Sequence, residues 1–180
     1  MTKKNNNLLY WHNRVMNAAL DLKPFWETIL VESNRNDLNP NLLLGVLAIE
    51  KANRGWLYNL IEHFLVWLLP GFVLRRDFSI GLAQIKPKTL QRELGVAPSP
   101  ETLKKLMNPS EVIAIGARLL SMYCEKVGFD SRQINSDDFD ENLLSVVKRY
   151  TTGSFTSFGS PWINYYFQIL KGICSRRVLN

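Results

Sequence analysis

One carboxylate stands out by its placement. From Pro40 to Ile49 the chain carries no charge, and Leu42, Leu43, Leu44, Val46, Leu47 and Ile49 cover nearly every side of the helix they predict. A helix that is apolar all round is a buried helix. Glu50 arrives at its far end, followed by Lys51 and the turn-like Asn53-Arg54-Gly55, so an acid is set where a hydrophobic core meets a loop. Partial desolvation there raises a carboxyl pKa, because the charged form loses more hydration than the neutral one. A glutamic acid held partly protonated near neutral pH is what general-acid cleavage of a glycosidic bond requires. The competing reading is a helix-end glutamate paired with Lys51 or Arg54, since structural ion pairs also perturb carboxylates.

Three further blocks bear on that choice. Phe78-Ser79-Ile80-Gly81-Leu82-Ala83-Gln84-Ile85-Lys86-Pro87-Lys88-Thr89 resembles the Gly-Leu-Met-Gln segment of lytic transglycosylases and goose-type lysozymes, the SLT-type lysozyme-like domains. Asn108-Pro109 to Gly128, with Gly116-Ala117-Arg118-Leu119-Leu120 inside it, is similar to that family's long core helix. Tyr150-Thr151-Thr152-Gly153 is similar to its Tyr-Asn-x-Gly turn. The resemblance implies a lysozyme-like domain in which Glu50 is the catalytic acid. It also implies that Ser79, Gly81, Leu82, Gln84 and Thr151 line a glycan groove, and that Tyr150 reaches the acid. The departures are Lys51 where the family usually has serine, Ala83 for methionine and Thr151 for asparagine. Thirty-one positions separate Glu50 from Gly81, and the family's connection is short. The apolar run Trp56 to Leu74 reads as an insert between the acid and the groove motif. It is either extra core packing or a lid, or else a hairpin that binds a membrane or a partner.

Hydrolysis needs a second carboxylate, about 6.5–9.5 Å from the acid for inversion or about 5–5.5 Å for retention. Asp77, four residues before Gly81, is the candidate, with a surface ion pair to Arg75 and Arg76 as the rival reading. Lys86 stands where the goose-type enzymes tend to carry an aspartate. A transglycosylase needs one acid only, and that is the function the resemblance implies here: cleavage of the β-1,4 bond between N-acetylmuramic acid and N-acetylglucosamine in peptidoglycan. The alternatives are a lysozyme-type hydrolase using Glu50 with Asp77, a lysozyme-fold protein without chemistry, and a membrane-interacting protein.

The elements that must position these groups read as helices throughout. Asn39-Pro40, Ser99-Pro100, Asn108-Pro109 and Ser160-Pro161 each place a capping side chain before a proline at the first helical position. Asn108 has Glu111 three residues on, the spacing of a capping box, and Gly128 sits where a left-handed stop belongs. Val112, Ile115, Gly116, Leu119 and Tyr123 fall on one helical face, as do Leu143, Val146, Val147 and Tyr150. Trp162, Tyr165, Tyr166, Ile169 and Ile173 predict another amphipathic helix. Leu8 to Leu20 and Pro24 to Val31 predict two helices near the start of the chain. No run alternates apolar and polar residues long enough for a substantial sheet. The expected fold is all-α with at most a minor β-hairpin. Residues 1–38 form N-terminal helices packed on a catalytic unit at residues 39–180, which carries the insert at about 56–74; together they make one compact domain.

Composition sets the outer bounds. The chain has 180 residues, 46% hydrophobic and 21% charged, which excludes a disordered tail. Two cysteines and two histidines do not supply a disulfide scaffold or the usual zinc clusters, so no metal or cofactor is expected. A net charge of +6 favours an acidic partner. Charge alone does not choose among nucleic acid, an anionic membrane and bacterial wall polymer. The cations are scattered rather than gathered on one recognition helix, which counts against nucleic acid, and the resemblance implies the glycan strands of peptidoglycan as partner. The longest charge-free run in the insert, His63 to Leu74, is short of the roughly 20 residues a spanning helix needs. Lys3 and Lys4 are followed by Asn5, Asn6 and Asn7 rather than by an apolar signal core. The expectation is synthesis in the cytoplasm and delivery to the wall by a phage lysis or secretion system.

Overall fold

Among the described residues, proline opens six of ten α-helices. The computed structural model describes residues 3–54, 56–133, 139–152 and 161–174. Its helices are α1 (Lys3–Leu20), α2 (Trp26–Arg35), α3 (Pro40–Asn53), α4 (Trp56–Leu68), α5 (Pro70–Arg76), α6 (Pro87–Leu94), α7 (Pro100–Met107), α8 (Pro109–Val127), α9 (Phe139–Thr152) and α10 (Pro161–Cys174). A 3-10 turn, Lys23–Phe25, leads from α1 into α2. The fold is all-α. Among the described residues, the isolated β interaction is an antiparallel bridge between Ile80 and Ile85.

Three of the expected caps form. Asn39 Oδ1 accepts the Asn41 amide at 2.9 Å, Ser99 Oγ the Thr102 amide at 3.1 Å, and Asn108 Oδ1 the amides of Ser110 and Glu111 at 3.0 and 3.3 Å. Each satisfies an amide that the helix itself cannot, worth about 1 kcal/mol. Ser160, the fourth, lies outside the described residues. Gly128 ends α8 at φ +67°, the left-handed stop its position predicts.

Helix α3 is the axis of the core. Every residue from Leu42 to Ile49 is buried, with α1, α2, α8 and α10 packed around it. A single glycine sets how close α10 comes: a Cβ at Gly45 would lie 2.4 Å from Leu170 Cδ1. Moving forward along α3 from Gly45 means moving back along α10 from Leu170, because Glu50 meets Tyr166. The two helices are therefore antiparallel, and the close approach at Gly45 brings the Tyr166 hydroxyl to the acid. Leu143, Val146 and Val147 of α9, with Ile169 and Ile173 of α10, bury the stripes that their spacing predicts.

The apolar segment after α3 folds as two helices, α4 and α5, broken at Leu69-Pro70. It is not wholly core packing. Leu65 and Val66 turn inward, while Leu60, Phe64, Trp67 and Leu68 are exposed. No helix among the described residues is long and apolar enough to cross a membrane.

Candidate active site

Glu50 occupies the last turns of α3, partly buried, with one carboxylate oxygen 3.2 Å from the Tyr166 hydroxyl, which donates to it. Burial raises the carboxyl to about 7 against an ordinary 4.5, while the Tyr166 hydrogen bond and the nearby Arg54 charge pull the other way. Desolvation wins because ionising the group would strip a full charge of most of its water. Neither predicted ion-pair partner takes the carboxylate among the described residues. Lys51 reaches Asp21 at 3.5 Å, and Arg54 pairs with Glu62.

The Gly-Leu-Ala-Gln segment is the tip of a tight hairpin. Ile80 and Ile85 exchange backbone hydrogen bonds at 3.0 and 3.1 Å, and the Gln84 amide closes the loop onto the Gly81 carbonyl at 3.1 Å. Gly81 is required here twice over. Its φ is +72°, and a Cβ would fall 1.8 Å from the Leu106 carbonyl oxygen. Gln84 also takes a left-handed φ of +51°, which costs a non-glycine residue on the order of 1 kcal/mol or more.

Polar contacts on both sides of Gly81 hold the hairpin in place. Its carbonyl accepts from Arg54 Nη1 and from Gln84 Nε2, each at 2.9 Å, and its amide donates to Glu62 Oε1 at 2.7 Å. Glu62 and Arg54 form an ion pair with both side chains nearly buried. Arg54 thus links the turn after the acid to the groove motif. Glu62 was not singled out from the sequence, although it is the sole acid between Trp56 and Leu74; an acid isolated in an apolar run was the signal.

Two cavities meet at this hairpin. The first, about 510 Å³, is lined by Arg54, Ile61, Glu62, Leu65, Phe78 and Ile80 among others; the second, about 270 Å³, by Asp77, Lys86, Lys88, Arg92, Arg149 and Tyr150 among others. Ser79 and Gln84 line both. Glu50 lines neither wall. Arg54 and Tyr150, whose charge and hydroxyl each interact electrostatically with it, line the first and the second respectively.

The other predicted residues take specific places. The Tyr150 hydroxyl donates to the Ala83 carbonyl at 2.6 Å, so it fastens the hairpin to α9, and the hydroxyl on Glu50 is that of Tyr166. In the sequence pattern Tyr166 is only part of an apolar stripe. Thr151 lies within α9 and returns its hydroxyl to the Val147 carbonyl at 2.8 Å; Thr152 is the last residue of the helix, and Gly153 lies outside the described residues. Leu82 packs partly buried against the core. Asp77 accepts the Lys88 amide at 2.8 Å and so ties itself to the start of α6, while Arg75 turns to the Gly71 carbonyl and Arg76 lies over the Phe72 ring. The surface ion pair gives way to a helix-end hydrogen bond.

Beside the second cavity, the Glu93 carboxylate is 2% exposed and meets Arg92, Lys126 and Arg149. Burial pushes its carboxyl up, but hydrogen bonds from Lys126 and Arg92 and the charge of Arg149 outweigh that and hold it at about 2. The two cysteines are buried free thiols, and burial pushes each up to about 12, so neither is a nucleophile at neutral pH.

Comparison with known proteins returns no match to any family model, curated protein or solved structure.

Proposed function

We propose that this protein is a lytic transglycosylase that cuts the β-1,4 bond between N-acetylmuramic acid and N-acetylglucosamine in peptidoglycan with one catalytic acid. The observation that carries the reading is the Glu50 carboxyl, raised by burial to about 7 beside the groove-motif hairpin. A group with that pKa exists in both protonation states near neutral pH, as a residue that must first give and then take a proton requires.

In the first step the protonated Glu50 gives its proton to the bridging glycosidic oxygen as the C1–O bond breaks. The leaving sugar departs as an alcohol, and positive charge develops at C1 of the muramyl ring. In the second, the ring's own C6 hydroxyl bonds to C1 and its proton passes to the Glu50 carboxylate. The acid is restored, no water is consumed, and the product ends in a 1,6-anhydro ring. Tyr166 holds the carboxylate in place by hydrogen bonding. Tyr150, by fastening Ala83, and Arg54, by fastening Gly81, hold the hairpin that would seat the sugars, with Ser79 and Gln84 at the junction of the two cavities.

Support for one acid rather than two comes from how the other carboxylates are engaged. Asp77 serves the Lys88 amide, and both oxygens of Glu62 are taken, one by Gly81 and one by Arg54. Glu62 is thereby held by two donors, and Asp77 commits one of its two oxygens to the start of α6.

The test is digestion of purified peptidoglycan followed by mass spectrometry of the fragments. Anhydro-muramyl ends are expected. Reducing ends in their place would mean a hydrolase. Glu50→Gln is expected to abolish solubilisation while keeping a native circular dichroism spectrum, and wild-type activity in that variant would overturn the assignment.

A further inference from the structure

Helix α4 is built inside out. Leu60, Ile61, Phe64, Trp67 and Leu68 recur at the spacing of one helical face, and that face is turned to solvent at 45–67% exposure. The one acid of the helix, Glu62, points the opposite way, into the contact with Arg54 and Gly81. A surface helix normally buries its apolar stripe and exposes its charges. Here the apolar stripe, extended by exposed Leu69, has no cover among the described residues.

The rim of the patch is cationic. Both α4 and α5 pack on α7, and Lys104 of α7 holds its ammonium 5.3 Å from the centre of the Trp67 ring. Lys105 beside it is exposed, as are Arg75 and Arg76 in the last turn of α5. Those four cations outnumber the exposed Glu101, which stands three residues before Lys104 on the same face of α7. A second copy of this chain, itself at net +6, would set cations against cations.

We propose that the α4–α5 face docks on an anionic lipid bilayer. An apolar stripe with aromatic residues, edged by lysine and arginine, is the composition of a helix that lies in the headgroup plane. Trp67 supplies the amphipathic ring suited to that boundary, and the cations supply attraction to anionic headgroups. The thirteen residues of α4 extend about 20 Å at 1.5 Å each, short of the roughly 30 Å of a hydrocarbon core, so the helix lies along the surface rather than through it. One face of α4 then meets lipid while Glu62 on the other holds Gly81, which fixes the groove-motif hairpin relative to the membrane plane.

The test is co-sedimentation of the full chain with vesicles of phosphatidylcholine alone or mixed with phosphatidylglycerol. Binding to the mixed vesicles is expected, weakened by salt and by Lys104→Glu. Phe64→Ser with Trp67→Ser removes two exposed rings and is expected to lower partitioning by about tenfold or more, with circular dichroism reporting an intact fold. Glu50→Gln is expected to bind like wild type, so lipid binding and glycan cleavage succeed or fail separately. The proposal is overturned by no binding to the mixed vesicles, or by equal binding of the double variant. It is equally overturned if sedimentation equilibrium without lipid shows a dimer that the double variant abolishes.

Discussion

Replacing Glu50 by glutamine is expected to make the protein more stable, and only where the wild-type group is ionised. Glutamine keeps an oxygen for the Tyr166 hydroxyl and removes the charge. Holding the carboxyl at about 7 rather than 4.5 corresponds to about 3 kcal/mol, at roughly 1.4 kcal/mol per pKa unit. The sign follows from proton counting. Below about pH 4.5 folded and unfolded chains both hold the proton, and the group contributes nothing. Between there and about pH 7 the folded chain keeps a proton that the unfolded chain has lost, so unfolding is increasingly favoured as pH rises. Above that the whole penalty is present. Urea unfolding of wild type and Glu50→Gln, followed by circular dichroism, should give equal stabilities near pH 4 and a gap widening to about 3 kcal/mol by about pH 8. Other titrating groups are common to both proteins and cancel in the difference. A gap that stays flat across this range, or a wild type that gains on the variant as pH rises, would refute the buried-acid reasoning.

Tyr166→Phe removes a hydrogen bond that favours the Glu50 carboxylate, so the Glu50 pKa should rise further. The alkaline fall of glycan cleavage should then move to higher pH, a shift that a pH–rate profile reads directly. Gly81→Ala must move either the hairpin or the Leu106 carbonyl, and about 3 kcal/mol or more of stability should be lost in urea unfolding. Glu93 shows the opposite linkage from Glu50: its carboxyl is held at about 2. Its stabilising contribution is present above about pH 4.5 and is lost as pH falls towards 2. Glu93→Gln should cost roughly 3 kcal/mol near neutral pH, and the gap to wild type should close through that acid window.

Local signals in the chain were enough for the capped and striped helices, though not for α4, α5 or α6, and for a carboxyl short of water at Glu50. The Asn39, Ser99 and Asn108 caps depend on groups within three residues of each other, and the uncharged run before Glu50 announces both a buried helix and a carboxyl short of water. What surrounds the acid depends on contacts distant in sequence, and there the local pattern was silent or pointed elsewhere. Tyr166 is 116 positions from Glu50, and its stripe on α10 predicts burial without saying which hydroxyl partner is met. Tyr150 is close enough to feel the Glu50 charge, yet its hydroxyl donates to a carbonyl of the hairpin. Asp77 sits beside two arginines in sequence, but its left-handed backbone turns it toward the start of α6. Glu62 was masked by its apolar neighbours, because only tertiary packing decides which face of an apolar helix looks inward.

The meeting of Gly45 with Leu170 has a temporal side. A ribosome releases α3 and its glutamate 116 positions before Tyr166, so the hydroxyl that meets the carboxyl is made much later. Only when α10 docks antiparallel, with Leu170 against Gly45, does the Tyr166 hydroxyl reach Glu50. A chain cut short before α10 would keep every residue of the Gly81 hairpin and lack the hydroxyl that meets the Glu50 carboxyl.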